Sequence, residues 1–276
     1  MADILRVLPK PVDLTTIDTS STPGFKGDKD DGKAALADLG PRLADLQSRL
    51  FAHGATGGQR RVLLVLQGMD TSGKGGTVRH VVGQVDPQGV SVKSFKAPTK
   101  EELAHDFLWR IKRALPGPGI LGVFDRSHYE DVLVVRVHEL VPEEVWSQRY
   151  AAINEFEQSV AAGGTVVVKC FLHISREESF ERLLARLDDP TKQWKFNPQD
   201  VDERAYWPAY MQAYADALER CNSDDAPWYV VPSDRKWYRN WAITNLLIEH
   251  LGAMELEWPK PDYDVEEQRR RLLASG

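Results

Sequence analysis

Apolar residues in this chain follow two alternating rhythms, and their order predicts a sheet with helices on both faces. Short, nearly continuous apolar runs at 61–67, 89–95, 120–125, 165–174 and 227–231 read as strands. A strand covered on both sides has no polar face to show, and TVVVKCFLHI and GILGVF are clear instances. Between the runs, apolar positions recur every three or four residues, as one face of a helix requires. That spacing occupies 74–85, 100–115, parts of 129–162, 176–187, 203–221 and 235–252. Leu36, Leu39, Leu43, Leu46 and Leu50 add a helix from about Lys33 to His53, which Gly40–Pro41 kinks or splits. GATGGQ at 54–59 is a turn. The alternation predicts an α/β fold built on a doubly wound, five-stranded parallel sheet with flanking helices.

At 276 residues the chain suits one large domain, assigned to 31–256. Residues 1–30 lack periodicity and read as an irregular arm, and 257–276, with Pro259, Pro261 and EEQRRRLL, as a surface extension.

The first strand empties into GMDTSGKGGT. Gly68, Gly73 and Lys74 make the G-x-x-x-x-G-K phosphate loop, with the strand before it and the helix after it that the motif needs. Glycines let successive amides curl toward phosphate oxygens, the helix N-terminus adds positive potential, and Lys74 supplies a mobile cation. Gly68, Thr71, Gly73, Lys74, Gly75, Gly76 and Thr77 are the candidate phosphate-binding residues. Gly75 stands where a metal-ligating Ser or Thr is usual, while Asp70 sits inside the loop. A carboxylate there repels a bare phosphate chain, so it is expected to meet one through a divalent cation.

The third strand ends in FDRSHYED. Ligands gather at the carboxyl ends of strands in such sheets. Asp125 is therefore the candidate partner of Asp70 in metal binding, with a helix cap as its structural alternative. Arg126 is a candidate donor to a transferring phosphoryl group. Glu130 reads equally as an acceptor or metal contact and as a solvated or capping glutamate.

In 176–187, Phe180, Leu183, Leu184 and Leu187 are expected to face the core, with Arg182 and Arg186 opposite. Glu178 then pairs with Arg182 on a wet face. DDPTKQWKFNP brings Lys192, Trp194 and Lys195 together, either as a lid over 175–204 or as a plain loop. KSFKAPTKEE holds Lys93, Lys96, Pro98 and Thr99 at a strand end, with Trp109–Arg110 beyond. PSDRKWYRN sets Arg235, Lys236 and Arg239 at a helix start, where cations oppose the macrodipole unless an anion offsets them. Ser233 or Asp234 is expected to cap that helix; Trp237, Tyr238 and Trp241 read as core.

A net charge of −6 argues against general nucleic-acid binding. Cys170 and Cys221 form no disulfide or metal spacing, and Cys170 reads as core. With no membrane-length apolar run and no signal-peptide core, a cytoplasmic setting is expected.

GMDTSGKGGT, FDRSHYEDVLVVRV, DDPTKQWKF and VPSDRKWYRN, in this order across about 24–252, together resemble the polyphosphate kinase 2 family. HYEDVLVVRV, with Glu130, is closest to its class III branch. The resemblance implies a P-loop kinase fold related to thymidylate kinase, with a helical lid. It implies phosphoryl transfer between inorganic polyphosphate and nucleotides, AMP and ADP both being accepted, with Mg²⁺ or Mn²⁺. It makes Asp70 and Asp125 the metal carboxylates and Arg126 the arginine beside the reacting phosphates. Arg182, Arg186, Lys192 and Lys195 fall to the lid, and Arg235, Lys236 and Arg239 to a polyphosphate channel. The family motif shares the Gly75 departure. Lys96, Pro98, Thr99, Trp109, Arg110 and Glu130 are candidates for the acceptor, an adenine or other purine nucleotide. A homo-oligomer is expected, with no membrane or nucleic-acid partner. The phosphate loop alone leaves two rivals, an ATP-dependent nucleotide or small-molecule kinase and a regulatory nucleotide-binding switch; the chain lacks the N-K-x-D guanine-reading motif of many switches.

Overall fold

The structure, a computed structural model, describes residues 1–7 and 11–276. Strands β1 (Arg61–Gln67), β2 (Val90–Ser94), β3 (Leu121–Asp125), β4 (Thr165–His173) and β5 (Trp228–Pro232) form one sheet in the order β2-β3-β1-β4-β5. All neighbours run parallel. The chain leaves the central strand toward one edge and later crosses to the other, so the ends of β1 and β3 meet beside the switch in strand order. Leu66 lies in register with Asp125, which puts the phosphate loop and the third strand's carboxylate side by side.

The helices are α1 (Ala2–Leu5), α2 (Lys29–Ala55), α3 (Lys74–His80), α4 (Lys100–Leu103), α5 (Trp109–Ala114), α6 (Val134–Val137) and α7 (Glu143–Trp146). They continue as α8 (Arg149–Ala162), α9 (Arg176–Asp188), α10 (Gln199–Glu203), α11 (Trp207–Arg220), α12 (Lys236–Gly252) and α13 (Val265–Ala274). None of those described is long and apolar enough to cross a membrane.

β1 shows why the strand runs are apolar throughout. Val62, Leu64 and Leu66 pack with Leu43 and Leu50 of α2 and Tyr238, Ile243 and Leu246 of α12. Leu63 and Val65 pack on the other face with Phe95, Ile111, Phe124 and Phe156. Both alternating sets of side chains are buried.

Several boundaries differ from expectation. α2 starts at Lys29, where Asp28 and Asp31 form a reciprocal capping box, and it passes through Pro41 unbroken to Ala55. Proline removes one amide bond, and the apolar stripe against α12 outweighs that loss. The helix expected over 74–85 ends at His80 and continues as a 3₁₀ turn at Val82–Gln84. That over 100–115 breaks between α4 and α5, where Asp106 caps the Leu108 amide at 3.0 Å. The one expected over 203–221 is a 3₁₀ turn at Arg204–Tyr206 followed by α11. The arm is partly ordered: the amino terminus pairs with Glu249, and the Val7 amide donates to Trp228 O at 2.9 Å.

Beneath the sheet edge lies a charged core. Lys169, fully buried in β4, donates to Glu157 Oε2 (2.5 Å), the Tyr129 hydroxyl (2.8 Å) and Cys221 O (2.8 Å). Glu157 also meets His128 Nε2 (3.1 Å) and accepts from the Tyr129 hydroxyl (2.8 Å). This network pins the 3₁₀ turn His128–Val132 that follows Asp125 and Arg126. Both cysteines are buried and free, and burial raises both thiols, Cys221 to about 12. Glu157→Leu strands the Lys169 ammonium, so it should cost about 3–5 kcal/mol. A urea titration measures this, and a loss below about 1 kcal/mol would show the network to be dispensable.

Candidate active site

Loop 68–73 turns under strain from β1 into α3. Gly68 (φ 149°) and Gly73 (φ 110°) lie in the left-handed half of backbone space, as glycine permits. A Cβ at Gly68 would sit 2.7 Å from Leu172 O, and one at Gly73 only 1.7 Å from Arg239 Nη1. Thr71 has φ 67°, costly for a β-branched residue, and is held where it is by its neighbours.

Lys74 is buried, with Nζ donating to Gly68 O (2.7 Å) and Met69 O (3.2 Å). Burial lowers its pKa and the Arg126 charge adds to that, while Asp70, Asp125 and Glu130 oppose. The charged groups singled out in two separate motifs thus act on one ammonium. Arg126 also has a positive φ of 65°, and its amide donates to Leu66 O at 3.0 Å. Its guanidinium reaches Asp70 Oδ1 (3.0 Å) and Glu130 Oε2 (3.2 Å). Glu130, and less strongly Asp70, raise its pKa against the effect of burial.

The capping role weighed for Asp125 belongs to Ser127, whose Oγ accepts from the Tyr129 amide at 3.2 Å. Gly75 is exposed, and a Cβ there meets nothing, so sterics do not exclude a serine. The Thr77 hydroxyl turns into its own helix, donating to Gly73 O at 3.2 Å. Gly76 lies beside Arg239.

A cavity of about 30 Å³, room for about one water, opens among Asp70, Arg126, Glu130, Glu203, Tyr210 and Tyr214. The last three were not among the sequence candidates. Glu203 accepts from the Tyr210 hydroxyl at 2.9 Å, and burial, then Glu130, raises the Tyr214 pKa. They come from α10 and α11, where no motif or local charge pattern marks them.

The expected face of α9 is reversed. Phe180, Leu184 and Leu187 are exposed, only Leu183 of the stripe is buried, and Arg182 points inward. Its guanidinium donates to Thr71 O (2.8 Å) and Ser233 O (2.7 Å), a set of buried acceptors that the sequence does not reveal. The Glu178 pairing does form, at 2.7 Å, but with a buried arginine. Arg186 meets Asp200 (3.5 Å), Lys192 pairs with Asp189 (2.5 Å), and Lys195 lies over Trp194 at 5.0 Å. The contacts of these three cations all lie within the 186–200 segment.

At the start of α12, Arg239 is buried under the loop. Arg235 donates to Ser20 O at 2.7 Å, and Lys236 is exposed. Neither Ser233 nor Asp234 caps that helix. Ser233 Oγ donates to Val231 O, and Asp234 accepts from the Ser175 amide and the Thr19 hydroxyl. Trp237 and Tyr238 are core, as expected, and Trp241 packs partly buried against it.

Segment 95–99 leaves β2 at the same sheet edge, Phe95 N donating to Asp125 O at 3.0 Å. Its side chains are engaged locally. Thr99 caps α4, Arg110 donates to Lys96 O (2.8 Å), and Trp109 stacks on His105 at 4.1 Å. Lys96, Pro98, Thr99, Trp109 and Arg110 do not line the cavity at Arg126.

Among the described residues no group of three or more His, Cys, Asp or Glu is placed to hold a metal. Asp70 and Asp125 supply two carboxylates beside Lys74, which fits Mg²⁺, an ion commonly held by one or two carboxylates together with substrate phosphates.

The family model for Polyphosphate kinase 2 matches residues 26–259. The AMP/ADP-polyphosphate phosphotransferase of Meiothermus ruber is 47% identical over 250 residues, covering 91% of this chain and 92% of the relative. The ADP-polyphosphate phosphotransferase of Rhodopseudomonas palustris is 43% identical over 244 residues, 84% of this chain and 82% of its own. The crystal structure of Polyphosphate Kinase 2 from Arthrobacter aurescens TC1 superposes with a TM-score of 0.95 at 52% identity, covering 98% of this chain and 95% of that one.

The loop geometry separates its glycines. Gly73→Ala should destabilise the fold by about 1–3 kcal/mol through strain and collision with Arg239. Gly75→Ser should change it by less than about 0.5 kcal/mol. Thermal unfolding of the two purified variants checks the contrast, and equal shifts would contradict it.

Proposed function

The chain belongs to the polyphosphate kinase 2 family, and from that membership and the loop geometry we propose that it transfers phosphoryl groups from inorganic polyphosphate to AMP and ADP. The observation that carries this reading is the meeting of Lys74, Asp70, Arg126 and Glu130 at the mouth of a phosphate loop. A terminal oxygen of AMP or ADP attacks the end phosphorus of the polyphosphate in line. The new P–O bond forms as the bond to the rest of the chain breaks, and a polyphosphate one unit shorter leaves. The attacking oxygen is already anionic, so no strong base is needed.

Loop amides orient the donor end. Lys74, swinging from Gly68 O and Met69 O, and Arg126, released from Asp70, neutralise charge gathered on the transferring group. Asp70 and Asp125 are the residues that would hold Mg²⁺ or Mn²⁺, which supplies charge neutralisation along the phosphate chain. Glu130, paired with Arg126, keeps that guanidinium aimed at the reacting centre. A homo-oligomer in the cytoplasm completes the proposal, supported by exposed apolar side chains such as Leu272 and Leu273 on α13.

ADP and polyphosphate, supplied without ATP, should yield ATP in a luminescence assay. Formation only from ATP-dependent reactions would point instead to an ordinary nucleotide kinase. Lys74→Ala and Arg126→Ala should each lower turnover by about 10²–10³, the scale of one lost transition-state donor. Near-wild-type rates in both would remove them from the reaction. Asp125→Asn should abolish the response to added Mg²⁺, read as rate against metal concentration, and an unchanged curve would exclude its role.

A further inference from the structure

Two buried arginines grip the backbone carbonyls of the phosphate loop, and the proposed phosphoryl transfer does not use them. Arg182, from α9, is 8% exposed, and Arg239, from α12, is 2% exposed. Arg182 donates through Nη1 to Thr71 O (2.8 Å) and Ser72 O (3.3 Å). Through Nη2 it reaches Ser233 O (2.7 Å) and Asp234 O (2.9 Å). Arg239 donates through Nη1 to Ser72 O (3.1 Å), and through Nε and Nη2 to Asn240 Oδ1 (3.3 and 2.9 Å).

Burying two like charges together is unfavourable. Burial, and then the Arg182 charge, lowers the Arg239 pKa to about 9. Arg182 has Glu178 as a partner, whereas Arg239 pairs with no carboxylate among the described residues. What the pair holds is the strained part of the loop. Thr71 keeps a left-handed φ of 67° while its carbonyl is gripped by Arg182. Gly73 must lack a side chain because Arg239 fills the space a Cβ would take.

A trans peptide sets its C=O and N–H in opposite directions. Fixing the Ser72 carbonyl on two guanidiniums therefore turns the Gly73 amide away from them, toward the open side of the loop. We propose that Arg182 and Arg239 are positioning residues that hold the Thr71–Gly73 peptides with the Gly73 amide facing the phosphate site before any phosphate arrives. This rests on reading the loop as a phosphate cradle. It replaces direct contact with the polyphosphate chain as the role of these two side chains. Because Arg182 belongs to α9, the shape of the loop is tied to the helix that leads into the 186–200 segment.

The test is Arg239→Lys, which keeps a cation and loses the planar fork. Its ligand-free crystal structure should show Thr71 departing from left-handed φ or the Ser72 carbonyl rotated off its present direction. In ATP formation from ADP and polyphosphate, kcat should fall by about 10- to 100-fold, the scale of a misplaced reacting group, with the polyphosphate KM within about threefold. Adding Thr71→Gly, which removes the side chain that opposes left-handed φ, should recover part of the lost kcat. An unchanged loop in the crystal, or a loss confined to the polyphosphate KM, would overturn the proposal in favour of a direct phosphate ligand. Simple additivity of the two substitutions would overturn it as well. If Arg239→Lys does not fold, Arg182→Lys carries the same readouts. The crystallographic arm needs no substrate, so its outcome is separate from whether polyphosphate is the donor.

Discussion

A phosphate loop works only if its backbone is held in a shape that its own residues resist. Here that constraint falls on residues 68–73, where Gly68, Thr71 and Gly73 all have positive φ. The surroundings fix it from two directions. In front, the Lys74 ammonium closes onto Gly68 O and Met69 O. Behind, Arg182 and Arg239 grip Thr71 O and Ser72 O. Arg182 comes from α9 and Arg239 from α12. The second helix is in turn fixed by the sheet, since α12 packs with α2 over the face that carries Val62, Leu64 and Leu66.

The electrostatics follow from the same arrangement. Cations cluster at and beneath the loop, while Asp70, Asp125 and Glu130 stand at its mouth. Arg126 bridges Asp70 and Glu130, so neither carboxylate faces the loop unopposed. In the proposed transfer the guanidinium and the Lys74 ammonium would turn to phosphate oxygens, and the carboxylates would be free to hold a divalent cation. The buried Lys169–Glu157–Tyr129 network fixes the turn that follows Arg126. A protein with net charge −6 can thus receive a polyanion, because the positive potential is local and partly desolvated.

The fold and the centre of the site were legible in the chain because both rest on short-range rules. Doubly buried strands need unbroken apolar runs, a phosphate loop needs its glycines and lysine at fixed spacing, and parallel strands deliver their carboxyl ends to one edge. Lys74, Asp70, Asp125 and Arg126 follow from those rules alone. The reversed face of α9 was not legible. Phe180, Leu184 and Leu187 have the spacing of a buried stripe, and nothing within the helix reveals that backbone carbonyls of two other loops await Arg182. Glu203, Tyr210 and Tyr214 carry no local signal for a similar reason, since only the tertiary packing of α10 and α11 brings them to the cavity.

Sequence by itself therefore determined the apolar runs of the sheet and the phosphate loop, since each depends on residue type and spacing along a few turns of chain. Tertiary structure alone decided which cations face the phosphate site and which are buried behind it. That choice depends on the desolvation of each guanidinium and on the carbonyls within its reach, and both are set by segments more than 50 residues apart in the chain.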